Sequence, residues 1–281
     1  MIDTSFLDGL ARFNLIVRKR VTSNYAGPRK SVAQGRGVMF KDHRIYAPGD
    51  DFRSIDWRVY ARTDDLMVKN YEEEKNLVVH IIVDKSSSMD FGKLSKFNYA
   101  SMLGVGYAYL AMKNNDKFQF STFSDDSDIF QPKKGMSQVM AMIDYLNNLK
   151  LKGKTDLLGM AQKYRKIIGS RAMVVLISDF LVPIDEIRES LYYFREHELN
   201  LIQILDPIEM NLEMEGDFKL KDSESGKLIR AYLSLSSRNA YLEQMGAHSA
   251  SIENECNAIG ANFSQISTDT DIFDAFYRVL K

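Results

Sequence analysis

The sequence contains little of what disulfide-bonded, zinc-binding or membrane-spanning proteins need. Its 281 residues include one cysteine, Cys256, which cannot form an intramolecular disulfide, and four histidines without metal-ligand spacing. The longest uncharged stretch, residues 97–112, is shorter than the roughly 20 residues of a membrane helix. No N-terminal stretch combines the basic and apolar segments of a secretory signal. We therefore expect a cytoplasmic protein with no transmembrane segment.

Neither positive nor negative charge predominates over the whole chain. The sequence has 37 basic and 38 acidic residues, so no global field favours nucleic acid or anionic membrane. A local excess occurs in residues 1–36, which carry seven basic and two acidic side chains. We expect no nucleic-acid partner, whereas the amphipathic, basic start leaves peripheral contact with a membrane open.

From about residue 77, short apolar runs alternate with helical patterns. Such alternation predicts an α/β fold with a doubly wound, mainly parallel, Rossmann-like sheet. Residues 77–281 would form this domain, with a hairpin inserted near 212–233. Residues 1–76 follow different patterns and predict an N-terminal helix and a β-rich region packed on the main domain.

Oxygen-bearing side chains occur where predicted strands and loops end. Asp84, Ser86 and Ser88 follow the first apolar strand, Asp179 follows a later one, and Thr155 precedes a helix. Because ligands of open α/β sheets bind at the carboxyl ends of strands, we expect these five side chains to meet. Carboxylates and hydroxyls suit a hard cation, Mg²⁺ or else Mn²⁺ or Ca²⁺. The simpler interpretation of Asp-x-Ser-x-Ser alone is a polar turn that caps a helix.

These five residues resemble the metal-ion-dependent adhesion site of von Willebrand factor A domains, in which Asp-x-Ser-x-Ser is followed by a Thr and then an Asp. The resemblance implies that the ion's remaining position accepts a carboxylate from a protein partner.

A second distinctive stretch is rich in arginine, aspartate and aromatic residues. Its candidate residues for a partner-facing or interdomain surface are Arg44, Tyr46, Asp50, Asp51, Arg53, Asp56, Trp57 and Arg62. Pro48-Gly49 within it fits the centre of a type II turn. Charges dense in both signs usually satisfy each other, which favours a structural network, and a surface for a partner is the alternative.

This stretch resembles the signature of the domain of unknown function 58 family, in which such a block precedes a von Willebrand factor A-like domain. Together the two motif sets span about residues 35–180. Members of the family often accompany MoxR-type AAA+ ATPases, so the resemblance implies such an ATPase, or its client, as the partner.

No complete catalytic set is visible, and we expect a metal-dependent protein-protein interaction module rather than an enzyme. The alternative is a Mg²⁺-dependent phosphohydrolase in which Asp84 and Asp179 hold the ion. It lacks an Asp two places after Asp84, where Ser86 stands, and an evident general base.

Overall fold

A computed structural model describes residue 2 and residues 6–13, 39–72, 78–169, 172–223 and 226–280. The chain divides into two compact units. One contains Met1–Leu15 and Leu77–Lys281, and the other contains Ile16–Asn76. Most of the basic N-terminal patch predicted from the sequence lies outside the described residues.

The larger unit is built on a six-stranded sheet in the order β10-β7-β6-β3-β4-β5. Its strands are β3 (Val78–Asp84), β4 (Lys117–Phe123), β5 (Ser127–Ile129), β6 (Met173–Ser178), β7 (Glu198–Leu205) and β10 (Asn262–Ser267). All neighbouring pairs are parallel except β4 with β5, which is antiparallel. The predicted α/β class with a mainly parallel sheet is therefore confirmed.

Helices cover both faces of this sheet. They are α1 (residues 6–13), α3 (Lys96–Lys113), α4 (Met136–Asn148), α5 (Leu157–Arg165), α6 (Ile184–Tyr192), α7 (Pro207–Asn211), α8 (Leu235–Ala258) and α9 (Ile272–Val279). Side chains of α5, α6 and α8 form one core cluster with Ile82 and Leu176, while Gly104 of α3 approaches Ile81 from the other face. The sheet is thus wound on both sides, as near-continuous apolar strands require.

The short strand β5 was not predicted. Its three residues follow two aspartates and carry Asp128, so no apolar pattern marks them. The strand forms because the chain turns back antiparallel beside β4, where Lys85 Nζ and the Tyr145 hydroxyl donate hydrogen bonds to Asp128 at 2.7 and 2.6 Å.

Helix α1 belongs to the larger unit, whereas the sequence placed the boundary at residue 76. Phe6, Leu10, Phe13 and Val17 recur at helical spacing, which predicts one buried helix face. The first three are buried, and Val17 lies outside the described residues. Phe13 packs against Phe273 and Phe276 with ring centroids 5.9 and 5.8 Å apart. This long-range contact with α9 explains why the first residues group with the last ones.

The smaller unit contains an antiparallel pair of strands, a short 3-10 helix and an α-helix. Their bounds are β1 (Met39–Ile45), Phe52–Ser54, α2 (Trp57–Thr63) and β2 (Met67–Glu72). The sequence predicted a β-rich region here and missed α2, which begins because the Asp56 carboxylate accepts a hydrogen bond from the Arg58 amide.

Strands β8 (Gly216–Lys221) and β9 (Leu228–Leu233) form an antiparallel hairpin within the stretch where the sequence predicted one. Among the described residues, no helix combines the length and the apolar character needed to cross a bilayer.

Candidate metal centre

The topology brings two strand ends together at a switch point of the sheet. From β3 the chain continues to β4 on one side, and it later returns to β6 on the other side of β3. In doubly wound sheets, this change of direction opens a crevice at the carboxyl ends of the two strands. Asp84 is the last residue of β3, and Asp179 follows the last residue of β6.

Asp84 is completely buried and accepts several hydrogen bonds. Its Oδ1 accepts from the Ser86 amide at 2.8 Å, and its Oδ2 accepts from the Thr155 hydroxyl at 3.2 Å. Ser178, on the neighbouring strand, also donates to Oδ2 at 2.6 Å. The carboxylate therefore lies where the ends of β3 and β6 and the loop before α5 meet.

The other oxygens continue from Asp84 as one hydrogen-bonded chain. The Ser86 hydroxyl bonds the Asp84 carboxylate and lies 3.1 Å from the Ser88 hydroxyl. Ser88 in turn donates to Asp179 Oδ2 at 2.7 Å. The five side chains singled out from the sequence thus lie together.

The loop that carries Thr155 is fixed against the loop after β3 by backbone hydrogen bonds. The Ser87 amide donates to the Gly153 carbonyl at 3.0 Å, and the Lys152 amide donates to the Lys85 carbonyl at 3.2 Å. Asp156 then caps α5 by accepting from the Gly159 amide. This cap and the two loop contacts hold Thr155 at the site.

The donor set fits a hard divalent cation. Burial and the nearby charge of Asp179 raise the pKa of Asp84 to about 7. A cation beside Asp84 would offset the burial and the Asp179 charge that disfavour the ionised Asp84, and three hydroxyls supply further hard oxygens. Within the described part of the chain, no cluster of three or more His, Cys, Asp or Glu side chains could hold a metal ion. Any ion at this site would depend on hydroxyl ligands.

Three residues around the site were not predicted from the sequence. Ser178 is the last residue of β6 and contacts Asp84. Lys96 is fully buried and donates to Asp179, and Glu209 of α7 accepts from Lys96. Only tertiary contacts bring these side chains to the site, although Ser178 could have been noticed as the neighbour of Asp179.

Lys85, inside the Asp-x-Ser-x-Ser motif, points away from the oxygen chain. Its side chain is 3% exposed, and its Nζ lies 2.6 Å from Asp126 and 2.7 Å from Asp128. These ion pairs hold the loop after β4 next to the loop after β3.

A cavity of about 540 Å³ lies elsewhere in the larger unit, between α8 and the strands β7 and β10. Most of its lining is apolar, and two of its polar residues, Ser249 and Gln265, are hydrogen-bonded to Gln203. Hard oxygen donors converge at the ends of β3 and β6, so those strand ends remain the candidate site.

In the smaller unit, most charged residues of the N-terminal signature are satisfied internally. Arg44 forms a two-pronged ion pair with Asp50 at 2.6 and 2.7 Å. Asp50 also accepts from the Ala47 amide across the turn, in which Gly49 has a φ of 109°. The Arg44 guanidinium and this amide lower the pKa of Asp50 to about 2.

Asp56 has a similar structural role. It caps α2 and lies 3.0 Å from His43 Nε2 and 3.3 Å from Lys69 Nζ. Asp51 caps the short 3-10 helix by accepting from the Arg53 amide. These contacts favour the structural interpretation of both aspartates.

The remaining signature residues are more exposed. Trp57 is 57% exposed and packs edge-on against Tyr60, while Tyr46 packs against Phe52. Arg62 donates to the Arg58 carbonyl on the surface of α2. Of the two aromatic candidate residues, Tyr46 and Trp57, Trp57 is the exposed one.

Comparisons with known proteins give relatives of the whole chain. It is 26% identical over 275 residues to the uncharacterized protein Mb1516 of Mycobacterium bovis, covering 96% of this chain and 87% of that protein. A solved structure of an aerotolerance-related membrane protein from Bacteroides fragilis, with multiple mutations to serines, gives a TM-score of 0.47 and 17% identity. That comparison covers 73% of this chain and 96% of the other. The conserved hypothetical protein BatB from Bacteroides thetaiotaomicron gives a TM-score of 0.45 at 14% identity, covering 73% and 97%. A family model described as "Protein of unknown function DUF58" matches residues 42–251.

Proposed function

This chain belongs to the DUF58 family of proteins of unknown function, and within that family we propose that it is a metal-dependent protein-protein interaction module. The ion would be held by Asp84, Ser86, Ser88, Thr155 and Asp179, as in the adhesion sites of von Willebrand factor A domains. Mg²⁺ is the preferred ion, with Mn²⁺ and Ca²⁺ as alternatives.

The observation that carries this proposal is the continuous chain of five oxygen-bearing side chains at the switch point of the sheet. Three loops contribute to it, the Asp84 and Asp179 carboxylates are buried, and the charge of Asp179 is close enough to raise the pKa of Asp84. Ser88 and Thr155 are only partly buried, so the chain of oxygens reaches the surface at these hydroxyls. A ligand that approaches from solvent would meet the site there.

In the proposed mechanism, the two carboxylates and three hydroxyls would hold the ion, which would supply an electrophilic point for an incoming carboxylate. The Asp84 and Asp179 charges balance those of a divalent ion, so a partner's carboxylate needs additional contacts to bind firmly. Leu181, which is 42% exposed and follows Asp179 closely, is placed to provide apolar contact beside the site.

Isothermal titration of the full chain with Mg²⁺ and with Mn²⁺ tests whether the protein binds these ions. We expect saturable binding that Asp84→Asn abolishes, because the amide removes one of the two charges without changing the side-chain size. Asp90→Asn is the matched control, since Asp90 is exposed and lies just after the same loop. Absence of binding by the native chain, or equal binding by Asp84→Asn, would contradict the proposal.

We propose a MoxR-type AAA+ ATPase, or a client of one, as the partner, and we propose a cytoplasmic setting. The support is the resemblance of residues 44–57 to the family signature. Affinity purification from the native cytoplasm, with Mg²⁺ and with a chelator, should recover the ATPase only with the metal. Equal recovery of the ATPase in both samples would show that it does not bind through the ion site. Equal recovery by Asp84→Asn and by the native chain would show the same.

The phosphohydrolase alternative stays a prediction that a simple assay distinguishes. If Asp84 and Asp179 serve hydrolysis, the protein with Mg²⁺ should turn over generic phosphoesters, and Asp84→Asn should stop the turnover. The interaction module predicts metal binding with no turnover in the same sample.

A further inference from the structure

A buried lysine lies beside the candidate metal centre without being one of its oxygen donors. Lys96 is 0% exposed, and its Nζ lies 2.8 Å from Asp179 Oδ2 and 2.6 Å from Glu209 Oε1. The Asp179 oxygen that it contacts is the same one that accepts from Ser88. The ammonium group therefore touches the chain of oxygens directly.

Local preferences disfavour a cation at this position. Lys96 is the first residue of α3, where the partial positive charge of the helix N-terminus opposes it, and a buried ammonium is costly unless it is paired. Burial lowers the pKa of Lys96, but the charges of Asp179 and Glu209 outweigh burial and hold the pKa above its usual value. Residues that break such local preferences are expected at functional sites.

Glu209 is itself held in place, so the pair cannot relax freely. Its second oxygen accepts from the Asp206 amide at 2.9 Å and completes the capping box of α7. The Tyr241 hydroxyl of α8 donates to the Glu209 carbonyl at 2.8 Å. Lys96 is thus fixed between a carboxylate of the candidate ion site and a carboxylate that lies outside the set of five oxygens.

We propose that Lys96 and Glu209 set the affinity of the metal centre for its divalent ion. Lys96 is a resident positive charge that competes with the ion for Asp179, and Glu209 offsets part of that charge. The inference rests on the proposed ion site. It assigns Lys96 and Glu209 as tuning residues. Lys96 keeps Asp179 paired when the ion is absent and weakens ion binding, while Glu209 partly neutralises Lys96 and so strengthens ion binding.

Opposite shifts in ion affinity test this assignment. Lys96→Met removes the competing charge, so Mg²⁺ and Mn²⁺ should bind to this variant at least about tenfold more tightly than to the native chain. Glu209→Gln removes a nearby negative charge, so the same ions should bind several-fold more weakly. Isothermal titration gives both affinities, and the rise in melting temperature on adding Mg²⁺ gives an independent readout.

Two control variants separate charge from structure. Lys96→Arg keeps the charge and should bind the ions nearly as the native chain does. Lys117→Met removes an equal charge from an exposed position at the opposite end of the sheet and should leave the affinity unchanged. If Lys96→Met does not fold, the affinity of Glu209→Gln for Mg²⁺ tests the proposal, and an affinity equal to that of the native chain would overturn it.

The outcomes distinguish this inference from the proposed function. If the native chain binds Mg²⁺ and Lys96→Met binds it equally or more weakly, the tuning role is overturned while the interaction module stands. If the native chain binds no ion but Lys96→Met does, Lys96 blocks the site, and the metal-dependent function is overturned instead. Absence of ion binding in every variant overturns both.

Discussion

Gly153 is the residue on which the position of the Thr155 loop most depends. Its φ is 84°, a backbone conformation that side chains with a Cβ rarely adopt, and an added Cβ would collide with the Asp125 carboxylate. Its carbonyl also accepts from the Ser87 amide. The contact between the two loops thus requires glycine at this position.

Replacing this glycine should damage stability and ion binding together. We expect Gly153→Ala to lower the free energy of unfolding by roughly 1–3 kcal/mol, because it strains the backbone and displaces Asp125. Mg²⁺ binding should weaken as Thr155 moves. Gly169→Ala is the matched control, since a Cβ there meets open space. Chemical denaturation and ion titration of both variants would measure the effects, and equal behaviour of the two would contradict the argument.

His80 is buried in the central strand β3 and makes stability depend on pH. Burial is the main cause that lowers its pKa from 6.5 to about 4, and its Nδ1 has no hydrogen-bond partner in the described part of the chain. Below pH 6.5, His80 binds a proton in the unfolded chain, whereas in the folded chain it stays neutral until the pH falls to about 4. The contribution to stability is therefore fully present above pH 6.5 and is lost as the pH falls to about 4.

The size of this effect follows from the shift. Between about pH 7 and pH 4, His80 should reduce the free energy of unfolding by roughly 3 kcal/mol. His80→Gln removes the titration, so the native chain should lose that much more stability than the variant over this range. Urea denaturation across the range gives the difference, in which the titration of carboxylates cancels. Parallel curves for the two proteins would show that His80 does not carry the effect.

The clustering of the five oxygen-bearing side chains was predictable at this scale, because each stands beside a strand or helix end that the apolar pattern already marks. Asp84 ends a buried strand, Asp179 follows another, and Thr155 precedes the cap of α5. Lys96 was not predictable, since nothing in its local sequence distinguishes a lysine paired in the core from one on the surface. Its two partners are distant in sequence, since Asp179 follows β6 and Glu209 lies in α7.

At the scale of elements, patterns with a strong period were predictable and short or capped elements were not. Helix α6 ends at Tyr192, because the chain turns before β7. Helix α2 and strand β5 depend on polar contacts of Asp56 and of Asp128. Hydrophobic periodicity does not report such contacts.

Replacing two helical glycines with alanine should change the free energy of unfolding in opposite directions. In α8, a Cβ at Gly246 meets nothing within 4 Å, so Gly246→Ala should raise the free energy of unfolding by about 0.5–1 kcal/mol through helix propensity. In α3, a Cβ at Gly106 would collide with the Phe276 ring, so Gly106→Ala should be destabilising. Thermal unfolding of the two variants would reveal the sign of each, and stabilisation by both would contradict the packing of α9 on α3.

At the scale of the whole molecule, the sequence predicted the sheet but placed the domain boundary differently. The alternation of apolar strand patterns with helical patterns predicts the sheet directly. The grouping of α1 with residues 77–281 depends instead on aromatic contacts between the two ends of the chain. A periodic apolar face shows that a helix packs, but it does not show against which part of the chain.

This grouping predicts a long-range effect on stability. Phe13→Ala removes a buried ring that packs against two rings of α9, so the free energy of unfolding of the larger unit should fall by roughly 3 kcal/mol. Phe52→Ala, in the smaller unit, removes a ring that is 64% exposed and should cost much less. Hydrogen exchange at the amides of α9 would locate the effect, and unchanged exchange in Phe13→Ala would contradict it.

The position of the five oxygens at the junction of β3 and β6 also has a kinetic consequence. Ser88 and Asp179 are 91 positions apart and meet only after the parallel pairing of these strands, a non-local contact that forms slowly. An ion held there would stabilise the native state more than the folding transition state. Added Mg²⁺ should therefore slow the unfolding limb of a chevron plot and leave the refolding limb unchanged.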